Sequence, residues 1–368
     1  MNWREQAPDE HEAGERSWSV VRRAYEERVP VPRRRDRRPI VAIAVAAAIV
    51  AAALSPPGLA VFGSIRDAVT SEDHLLALPT RGRVLVDAQA GAWVVDRDGS
   101  KRFLNGYTDA AWSPHGLYLA AARGNELVAL EPRGKVHWKL ARPGLVGGPQ
   151  WSFEGFRIAY FAGHALRVAN GDGTGDHLIT PNAVGSGGSE LAWRPATHQL
   201  AYTNGRSKVV LLDVDSDRIL WERPSRGTEQ LSWSSDGTRL FVADGRPRIL
   251  DAAGRIVAAF GRRPVLPAAF VPKSRAIALV HVIRGRSTVT VYSGAHYDRR
   301  RTVFSGAGLF GGLAWSPDAR WLLVDWRSAD QWLFIRSAAV RRIAVSNIGN
   351  VFDSGPEHYA TLAGWCCP

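Results

Sequence analysis

The chain is 368 residues long, with a formal net charge of +12 that comes from 47 lysines and arginines against 35 acidic residues. This length accommodates one large domain with short appendages. The basic residues are nearly all arginine and are spread along the chain apart from a cluster at 33–38, which argues against a nucleic-acid partner. A basic surface also suits anionic envelope polymers or lipid head groups. A composition rich in arginine and alanine but poor in lysine is typical of GC-rich coding, and we expect an actinobacterium-like source.

The first segment, residues 1–38, holds one short helical pattern at 17–29. Trp18, Val21 and Tyr25 recur at a spacing that places them on one helix face, and a proline follows at once. An isolated helix of this length is marginal in water, so we expect it to fold against a surface. A lipid surface on the cytoplasmic side, favoured by the arginines of the segment, and a cytoplasmic protein bound through the apolar face are both open, as is disorder.

Residues 39–63 carry no charged side chain and directly follow the arginine cluster. The most apolar part, 40–54, is alanine-rich and shorter than the about 20 residues that a membrane span requires, but the apolar stretch to residue 62 completes it. We therefore predict one transmembrane helix at 39–63, with residues 1–38 in the cytoplasm and a linker at 64–74 leading to an extracytoplasmic domain. Cleavage of a signal peptide near Ala53 and a buried soluble helix are the alternatives.

Residues 75–345 repeat one unit. A large apolar residue stands after a short apolar pair and before a tight turn, at intervals of about forty residues. These positions, which we call the anchors, are Leu78, Trp112, Trp151, Trp193, Trp233, Phe270 and Trp315. Seven residues after each anchor stands an aliphatic residue, namely Leu85, Leu119, Ile158, Leu200, Leu240, Ile277 and Leu322. A period of this length indicates an array of one small structural unit.

Each unit reads as four short strands. The first ends at the anchor, the second carries the aliphatic residue, and the third and fourth are separated by a polar turn that follows most anchors by 18 to 20 residues. The turn directly after the anchor is often of the Ser-Pro-Asp-Gly type, in which glycine takes the left-handed conformation. Other residues replace that glycine at Thr197, Ser274 and Ala319, so these three turns are expected to be more strained or differently built.

Seven four-stranded units predict an all-β fold, a seven-bladed β-propeller preceded by the single transmembrane helix. The anchors are expected to pack between adjacent blades. The Trp-Ser-Pro-Asp-Gly turn followed by a strand pair resembles the WD40-like repeat of the TolB family of extracytoplasmic propellers, over about residues 75–345. The resemblance implies the fold and an extracytoplasmic location. The small α/β domain that precedes the propeller in TolB has no counterpart here, so no role in the Tol–Pal system is implied.

The tail, residues 346–368, carries both cysteines of the chain, Cys366 and Cys367. Adjacent Cα atoms lie about 3.8 Å apart, closer than most disulfides allow, so a bridge between the two would be strained. Two interpretations stay open: two thiols packed under Trp365, or a disulfide to another chain outside the cytosol. With only His358 nearby, the two cysteines do not make a metal site.

Motifs of catalysis and metal binding are missing: no Gly-x-Ser-x-Gly, His-Glu-x-x-His, Walker or Cys-x-x-Cys pattern occurs. The acidic glycine-rich stretch 170–176 suggests a calcium loop, but it lacks the distal glutamate of an EF-hand and occupies the repeat position of an ordinary turn. Asp87, Asp244 and Asp325 follow their anchors by nine to eleven residues and are expected to form buried hydrogen bonds. Three histidines at turns or strand starts are expected to face solvent, namely His115, His164 and His198. No catalytic residue, metal or cofactor is predicted.

These features predict a membrane-tethered extracytoplasmic propeller that binds an envelope protein or glycan through its loops or channel, without catalysis. The main alternative is a single-span regulator similar to anti-sigma proteins, in which the propeller senses a signal and the helix of Trp18, Val21 and Tyr25 holds a cytoplasmic factor. An enzyme acting in the channel is the third hypothesis.

Overall fold

The computed structural model describes residues 77–183, 190–204, 208–225, 227–261, 265–337, 341–354 and 359–367. Within these ranges the strands form seven four-stranded antiparallel sheets, which confirms the predicted all-β propeller of seven blades. The predicted segments 1–38, 39–63 and 64–74 lie outside the described residues, and so do Trp18, Val21 and Tyr25. No helix in the described part of the chain is long and apolar enough to cross a membrane.

Blades are numbered in chain order, and strands A to D of each blade run from the axis outward. Blade 1 consists of β28 (Thr361–Cys366), β1 (Arg83–Ala88), β2 (Gly91–Val95) and β3 (Lys101–Asn105). Blade 2 consists of β4 (Thr108–Trp112), β5 (Leu119–Arg123), β6 (Glu126–Leu130) and β7 (Val136–Ala141). Blade 3 consists of β8 (Val146–Trp151), β9 (Arg157–Ala162), β10 (Ala165–Asn170) and β11 (His177–Thr180). Blade 4 consists of β12 (Leu191–Trp193), β13 (Gln199–Thr203), β14 (Lys208–Asp213) and β15 (Arg218–Pro224).

The remaining blades follow the same order. Blade 5 consists of β16 (Gln230–Trp233), β17 (Arg239–Ala243), β18 (Arg248–Asp251) and β19 (Ile256–Ala259). Blade 6 consists of β20 (Val265–Phe270), β21 (Ile277–Ile283), β22 (Arg286–Ser293) and β23 (Arg299–Ala307). Blade 7 consists of β24 (Gly312–Trp315), β25 (Trp321–Trp326), β26 (Gln331–Arg336) and β27 (Arg342–Ser346), and the short helix α1 (Ile348–Val351) follows it. The A strands of successive blades contact one another all the way round, so the ring is closed.

Strand B is the most deeply buried strand of each blade, since it lies between strands A and C and is covered by the blades on both sides. The aliphatic residues seven positions after the anchors all lie on strand B, and all seven are 0% exposed. In six blades the anchor ends strand A and pairs directly with that residue, as Trp193 pairs with Leu200. Runs buried on both faces need no alternation of polar side chains, which is why these strands read as continuous apolar segments.

Blade 1 is built differently from the prediction. Leu78 ends no strand; it precedes β1, is buried, and its backbone N–H donates to the carbonyl of Arg97 at 2.8 Å. Strand A of this blade is β28, from the end of the chain, and Trp365 takes the anchor position by pairing with Val84. The predicted strand ending at Leu78 is therefore wrong, because a closed ring joins the two ends of the chain in one sheet. The propeller also extends beyond residue 345.

Three of the anchors add a polar link between blades. The indole N–H of Trp193 donates to the carbonyl of Gln150, the residue before the previous anchor, at 3.0 Å. Trp233 and Trp315 repeat this bond at 3.2 Å to the carbonyls of Ala192 and Ala269. Each bond joins a buried aromatic side chain to strand A of a neighbouring blade, and it satisfies a donor that burial would otherwise leave unpaired.

The turns after the anchors follow the expected chemistry where glycine is present. The left-handed residue stands four positions after the anchor at Gly116, Gly155 and Gly237, with φ of +64°, +78° and +65°. Ala319 adopts the same conformation at φ +57° without the freedom of glycine. In the two other turns the left-handed residue stands one position earlier, at Ala196 and Lys273, so the turns containing Thr197 and Ser274 are differently built.

Replacing Trp193 with alanine is expected to lower the free energy of unfolding by about 3–5 kcal/mol, because the side chain is 7% exposed and packs between blades 3 and 4. Urea denaturation monitored by near-UV circular dichroism measures the change. Phe156→Ala is the matched control: this aromatic side chain is 75% exposed, and its removal should cost about 0.5 kcal/mol or less. A loss below about 1 kcal/mol at Trp193 would contradict its packing role.

Candidate functional site

The two faces of the ring carry different turns. The turns that join strand A to strand B and strand C to strand D lie on one face, which we call the A–B face. The turns from strand B to strand C and the connections between blades lie on the other, which we call the D–A face. Side chains from distant parts of the sequence meet on each face, because every blade contributes one turn of each kind.

A cavity of about 840 Å³ lies at the axis on the A–B face, and we call it the channel mouth. It is lined by the turns after strand A in blades 2, 3, 5, 6 and 7 and by the end of β28 in blade 1. Representative lining residues are Pro114, Phe153, Asp236, Arg275, Pro317 and Cys367. A cleft of this size, formed by six of the seven blades, is the type of surface on which propellers present variable residues from a common frame.

The two cysteines lie at this channel mouth. Cys366 and Cys367 are joined to each other in the structure, with Cα atoms 3.7 Å apart, in place of the free thiols considered from the sequence. The interchain disulfide stays a prediction, because it requires a second chain. Cys367 packs on the turn of blade 2: its Sγ lies 3.6 Å from the carbonyl of Pro114, and a Cβ on Gly116 would lie 2.7 Å from this sulfur. Glycine at this position therefore allows the end of the chain to close on blade 2.

Apolar side chains stand exposed on two neighbouring turns of the A–B face, and these turns line the channel mouth through Pro114 and Phe153. Phe153 is 53% exposed and Phe156 is 75% exposed on the turn of blade 3, while Leu117 is 62% exposed and Tyr118 36% exposed after the turn of blade 2. We call these four residues the apolar rim. The two turns touch, since a Cβ on Gly155 would lie 3.5 Å from the ring of Pro114. Adjacent exposed aromatic residues of this kind mark an interaction surface.

Charge on the opposite side of the channel mouth comes from one ion pair and one exposed lysine. Arg275 Nε lies 2.5 Å from Asp236 Oδ2, and the hydroxyls of Ser234 and Thr238 donate to the other carboxylate oxygen. Burial raises the pKa of Asp236, but these donors and Arg275 outweigh it and hold the pKa well below its usual range. Lys273 stands exposed on the same turn of blade 6. The mouth therefore combines an apolar side with a polar, charged side.

The D–A face holds buried acids instead. Burial raises the pKa of Asp87, Glu190 and Asp325 to about 7 in each case. The N–H of Ala110 donates to Asp87 at 3.3 Å and partly offsets the effect. These acids belong to blades 1, 4 and 7, and no group of three acidic, histidine or cysteine side chains in the described ranges is placed to hold a metal ion.

Asp325 is the most isolated of these acids. It is 0% exposed, and among the described residues neither carboxylate oxygen has a hydrogen-bond partner. By contrast, Asp244 accepts bonds from Ser225 Oγ at 2.8 Å and from Arg248 Nη1 at 2.6 Å. The expectation of buried hydrogen bonds is therefore met by Asp87 and Asp244 and is wrong for Asp325.

The acidic turn 170–176 joins blades rather than standing free. Asp176 pairs with Arg167 of its own blade and with Arg142 at the end of blade 2, and Tyr160 donates to the same carboxylate. Burial raises the pKa of Asp176, but hydrogen bonds from Arg167 and Tyr160 dominate and lower it overall. All three histidines expected to face solvent are exposed, namely His115, His164 and His198.

No family model matches the chain, and no curated protein matches it either. Among solved structures, the chain is similar to the mitotic checkpoint complex, with a TM-score of 0.55, 18% identity and coverage of 73% of this chain and 96% of that chain. It is also similar to hydrazine synthase of Kuenenia stuttgartiensis, with a TM-score of 0.51, 15% identity and coverage of 67% and 79%. A third structure, the Cps50 (Swd1) β-propeller domain of Myceliophteria thermophila, has a TM-score of 0.49, 14% identity and coverage of 65% and 85%. The first two similarities show a shared WD40-like propeller fold, and they carry no information on function.

Sequence reasoning pointed to the loops and the channel but did not identify the residues of the channel mouth, and it missed the part played by the tail. A signal for the tail was present, since Leu362, Ala363, Gly364 and Trp365 read as an anchor motif with one glycine inserted. That insertion is accommodated by a register shift in β1 between Leu85 and Val86. The partner-binding role predicted for Trp18, Val21 and Tyr25 stays a prediction, because these residues lie outside the described ranges.

Replacing Asp325 with asparagine is expected to reduce the pH dependence of stability. The pKa of Asp325 in the folded chain is about 7, above its ordinary value of 3.8. Between these values the folded chain holds a proton that the unfolded chain has lost, so stability falls as the pH rises from about 4 to about 7. In Asp325→Asn the loss of unfolding free energy between about pH 5 and pH 8 should shrink by about 1–3 kcal/mol.

Urea denaturation across this pH range measures the effect. Asp217→Asn, at an exposed aspartate in a turn of blade 4, is the matched control and should keep the parent profile. A pH profile of Asp325→Asn that coincides with that of the parent chain would show that the buried carboxyl does not titrate in this range.

Proposed function

We propose that this protein is a membrane-tethered extracytoplasmic propeller that binds an envelope partner at the channel mouth and does so without catalysis. A protein is the favoured partner, and the pull-down experiment below distinguishes a protein partner from a glycan. The observation that carries the proposal is the apolar rim: two phenylalanines, a leucine and a tyrosine stand exposed on adjacent turns of one face, and one of them, Phe153, lines the axial cavity.

The composition of this surface favours protein recognition. Aromatic side chains supply large contact areas at low conformational cost and dominate binding energy when they enter a partner's pocket. Proline residues from blades 2 and 7 line the cavity beside the rim, and the ion pair of Asp236 and Arg275 lies across from it. Apolar contact area next to paired charges is a usual composition of a protein interface.

The route of the chain supports the membrane tether. The described chain reaches the ring at Ala77 and Leu78, next to the turn 96–100 of blade 1, and this turn belongs to the A–B face. The predicted span ends at residue 63. Thirteen residues, 64–76, separate it from the ring and can cover at most about 45 Å. A tether attached on this face keeps the channel mouth within reach of partners near the membrane, in line with the extracytoplasmic location implied by the resemblance to TolB-type repeats.

Binding is favoured over catalysis because, among the described residues, no acid with a raised pKa lines the channel mouth. Asp236 is committed to Arg275, and the acids with raised pKa values lie on the D–A face in three different blades. General acid–base chemistry requires a side chain that can exchange a proton near the working pH within reach of the substrate. A rim of exposed aromatic residues requires only a complementary surface.

Envelope pull-downs with Phe153→Ala/Phe156→Ala test this proposal. We expect the double variant to lose, by roughly tenfold or more, the protein that the parent chain recovers, since truncating an aromatic hot spot typically costs about 2 kcal/mol. The matched control is Ile219→Ala/Ile256→Ala, which removes two equally exposed apolar side chains from outer strands. Equal recovery by both variants would refute the rim as the binding surface, and loss of recovery after glycosidase treatment would assign the partner to glycans.

The topology is tested separately with a reporter fused after residue 70. An alkaline phosphatase fusion, which is active only outside the cytoplasm, is expected to be active, and a cytoplasm-restricted fluorescent reporter is expected to be dark. The opposite pattern would refute the tether while leaving the rim experiment to decide on binding.

A further inference from the structure

The outer strand of blade 6 has an exposed edge. β23 spans nine residues and is longer than any other strand in the described ranges. It pairs with β22 on its inner side, and no strand of the described chain pairs with its outer side. Alternate residues of an edge strand direct their N–H and C=O groups away from the sheet, where they are available to a further strand.

This edge begins with three consecutive arginines. Arg299, Arg300 and Arg301 are all exposed, and none of them takes part in an ion pair within the described ranges. The rest of blade 6 is also rich in basic residues. Residues 265–308 contain seven lysines and arginines and a single acidic residue, Asp298, which amounts to half of the formal net charge of +12. Blade 6 is therefore a concentrated cationic region on an otherwise mixed ring.

The arginines cover both sides of the edge. Arg301 pairs with Val291, which packs against blade 7, so its side chain points to that side; Arg299 lies two residues away on the same side. Arg300 pairs with Tyr292, which packs towards blade 5. An added strand would alternate its side chains in the same way, so acidic residues on either side of it would meet a guanidinium group.

Other long edges do not offer the same surface. β15 has seven residues, but Arg223 donates to the carbonyl of Gly254 at 2.7 Å and Glu222 pairs with Lys208. Two of its three charged side chains are therefore engaged within the protein, which leaves Arg218 as a single exposed arginine on this edge. Basic residues on an edge also repel a second copy of the same strand, which disfavours self-association. What remains favourable is pairing with a strand of opposite charge.

We propose that the edge of β23 binds an extended acidic peptide segment of a partner protein as an additional strand of blade 6. Backbone hydrogen bonds along Arg299–Phe304, apart from the extra residue Val303 at the register shift, supply affinity that does not depend on the sequence of the peptide. Pairing of glutamate or aspartate with the three arginines supplies selectivity. This surface lies on the outer rim, apart from the channel mouth, and the proposal does not depend on the function assigned to the mouth.

A labelled eight-residue peptide of alternating glutamate and threonine tests the proposal by fluorescence anisotropy with the full chain. We expect it to bind, and we expect the same peptide methylated on every backbone nitrogen to bind at least about tenfold more weakly, because methylation keeps the charge and removes the N–H donors. Hydrogen exchange of residues 299–304 should slow when the unmethylated peptide is added.

Charge-reversed variants provide a second test of the proposal. Arg299→Glu/Arg301→Glu is expected to weaken binding by at least about tenfold, whereas Arg133→Glu/Arg218→Glu, which changes the net charge equally at an exposed turn of blade 2 and at the exposed start of the outer strand of blade 4, should stay within about twofold. Near-UV circular dichroism checks that each variant is folded.

If the unmethylated and the methylated peptide bind the parent chain equally well, binding depends on charge alone and not on backbone hydrogen bonds. That result would overturn the proposal, and it does not require the charge-reversed variant to fold. No binding by the parent chain at about 1 mM peptide, unchanged exchange at 299–304, or equal weakening by the control pair would overturn it as well.

Discussion

The ring depends on one pairing of strands. β28, near the end of the described chain, forms the inner strand of the blade that begins with β1, and Trp365 fills the anchor position that no earlier residue occupies. Its ring packs edge-on against Phe334 of blade 7, with centroids 5.6 Å apart. Without this strand, β1 would present an open edge in which Val84 and Val86, now buried, face water. The seven-fold closure and the channel mouth follow from this one contact.

The other junctions between blades rest on a mixture of apolar packing and directed polar contacts. Indole N–H groups of three anchors donate to the neighbouring inner strand, and Asp176 links blades 2 and 3 through arginines of both. At the junction of blades 1 and 2, where Trp112 is half-buried and its indole nitrogen has no partner among the described residues, Arg83 lies over the ring at 5.0 Å. The frame is therefore held by residues that face inward, which leaves the turns on both faces free to differ in sequence.

The architecture was predictable because each blade repeats the same local contact between two apolar residues. An aromatic anchor and an aliphatic residue seven positions later must pair across one tight turn, and that spacing is visible without knowledge of the fold. The strand supplied by the tail was not found because Gly364 shifts Trp365 by one position, and the resulting register shift in β1 hides the motif. Leu78 was mistaken for an anchor because it is apolar, buried and correctly spaced, yet it forms no strand.

The candidate site was less predictable, because its residues meet only through the ring. Phe153 and Arg275 are far apart in sequence and share the channel mouth solely because every A–B turn points to the same axis. The solvent exposure of the rim side chains could not be predicted either, since the sequence does not distinguish the exposed Phe156 from a core phenylalanine such as Phe241. The arginines 299–301 could be read as a charge run, but their position on a long unpaired edge required the sheet topology.

The closure of blade 1 also constrains the order in which the chain can fold. Val84 and Trp365 pair although about 280 residues lie between them. At typical rates of synthesis, about 5–20 residues per second, the first three strands wait tens of seconds for the strand that covers them. Blades 2 to 7 are continuous in sequence and can form in turn, whereas the apolar edge of β1 stays open until the end. Until that moment, this open edge is available for pairing with another chain.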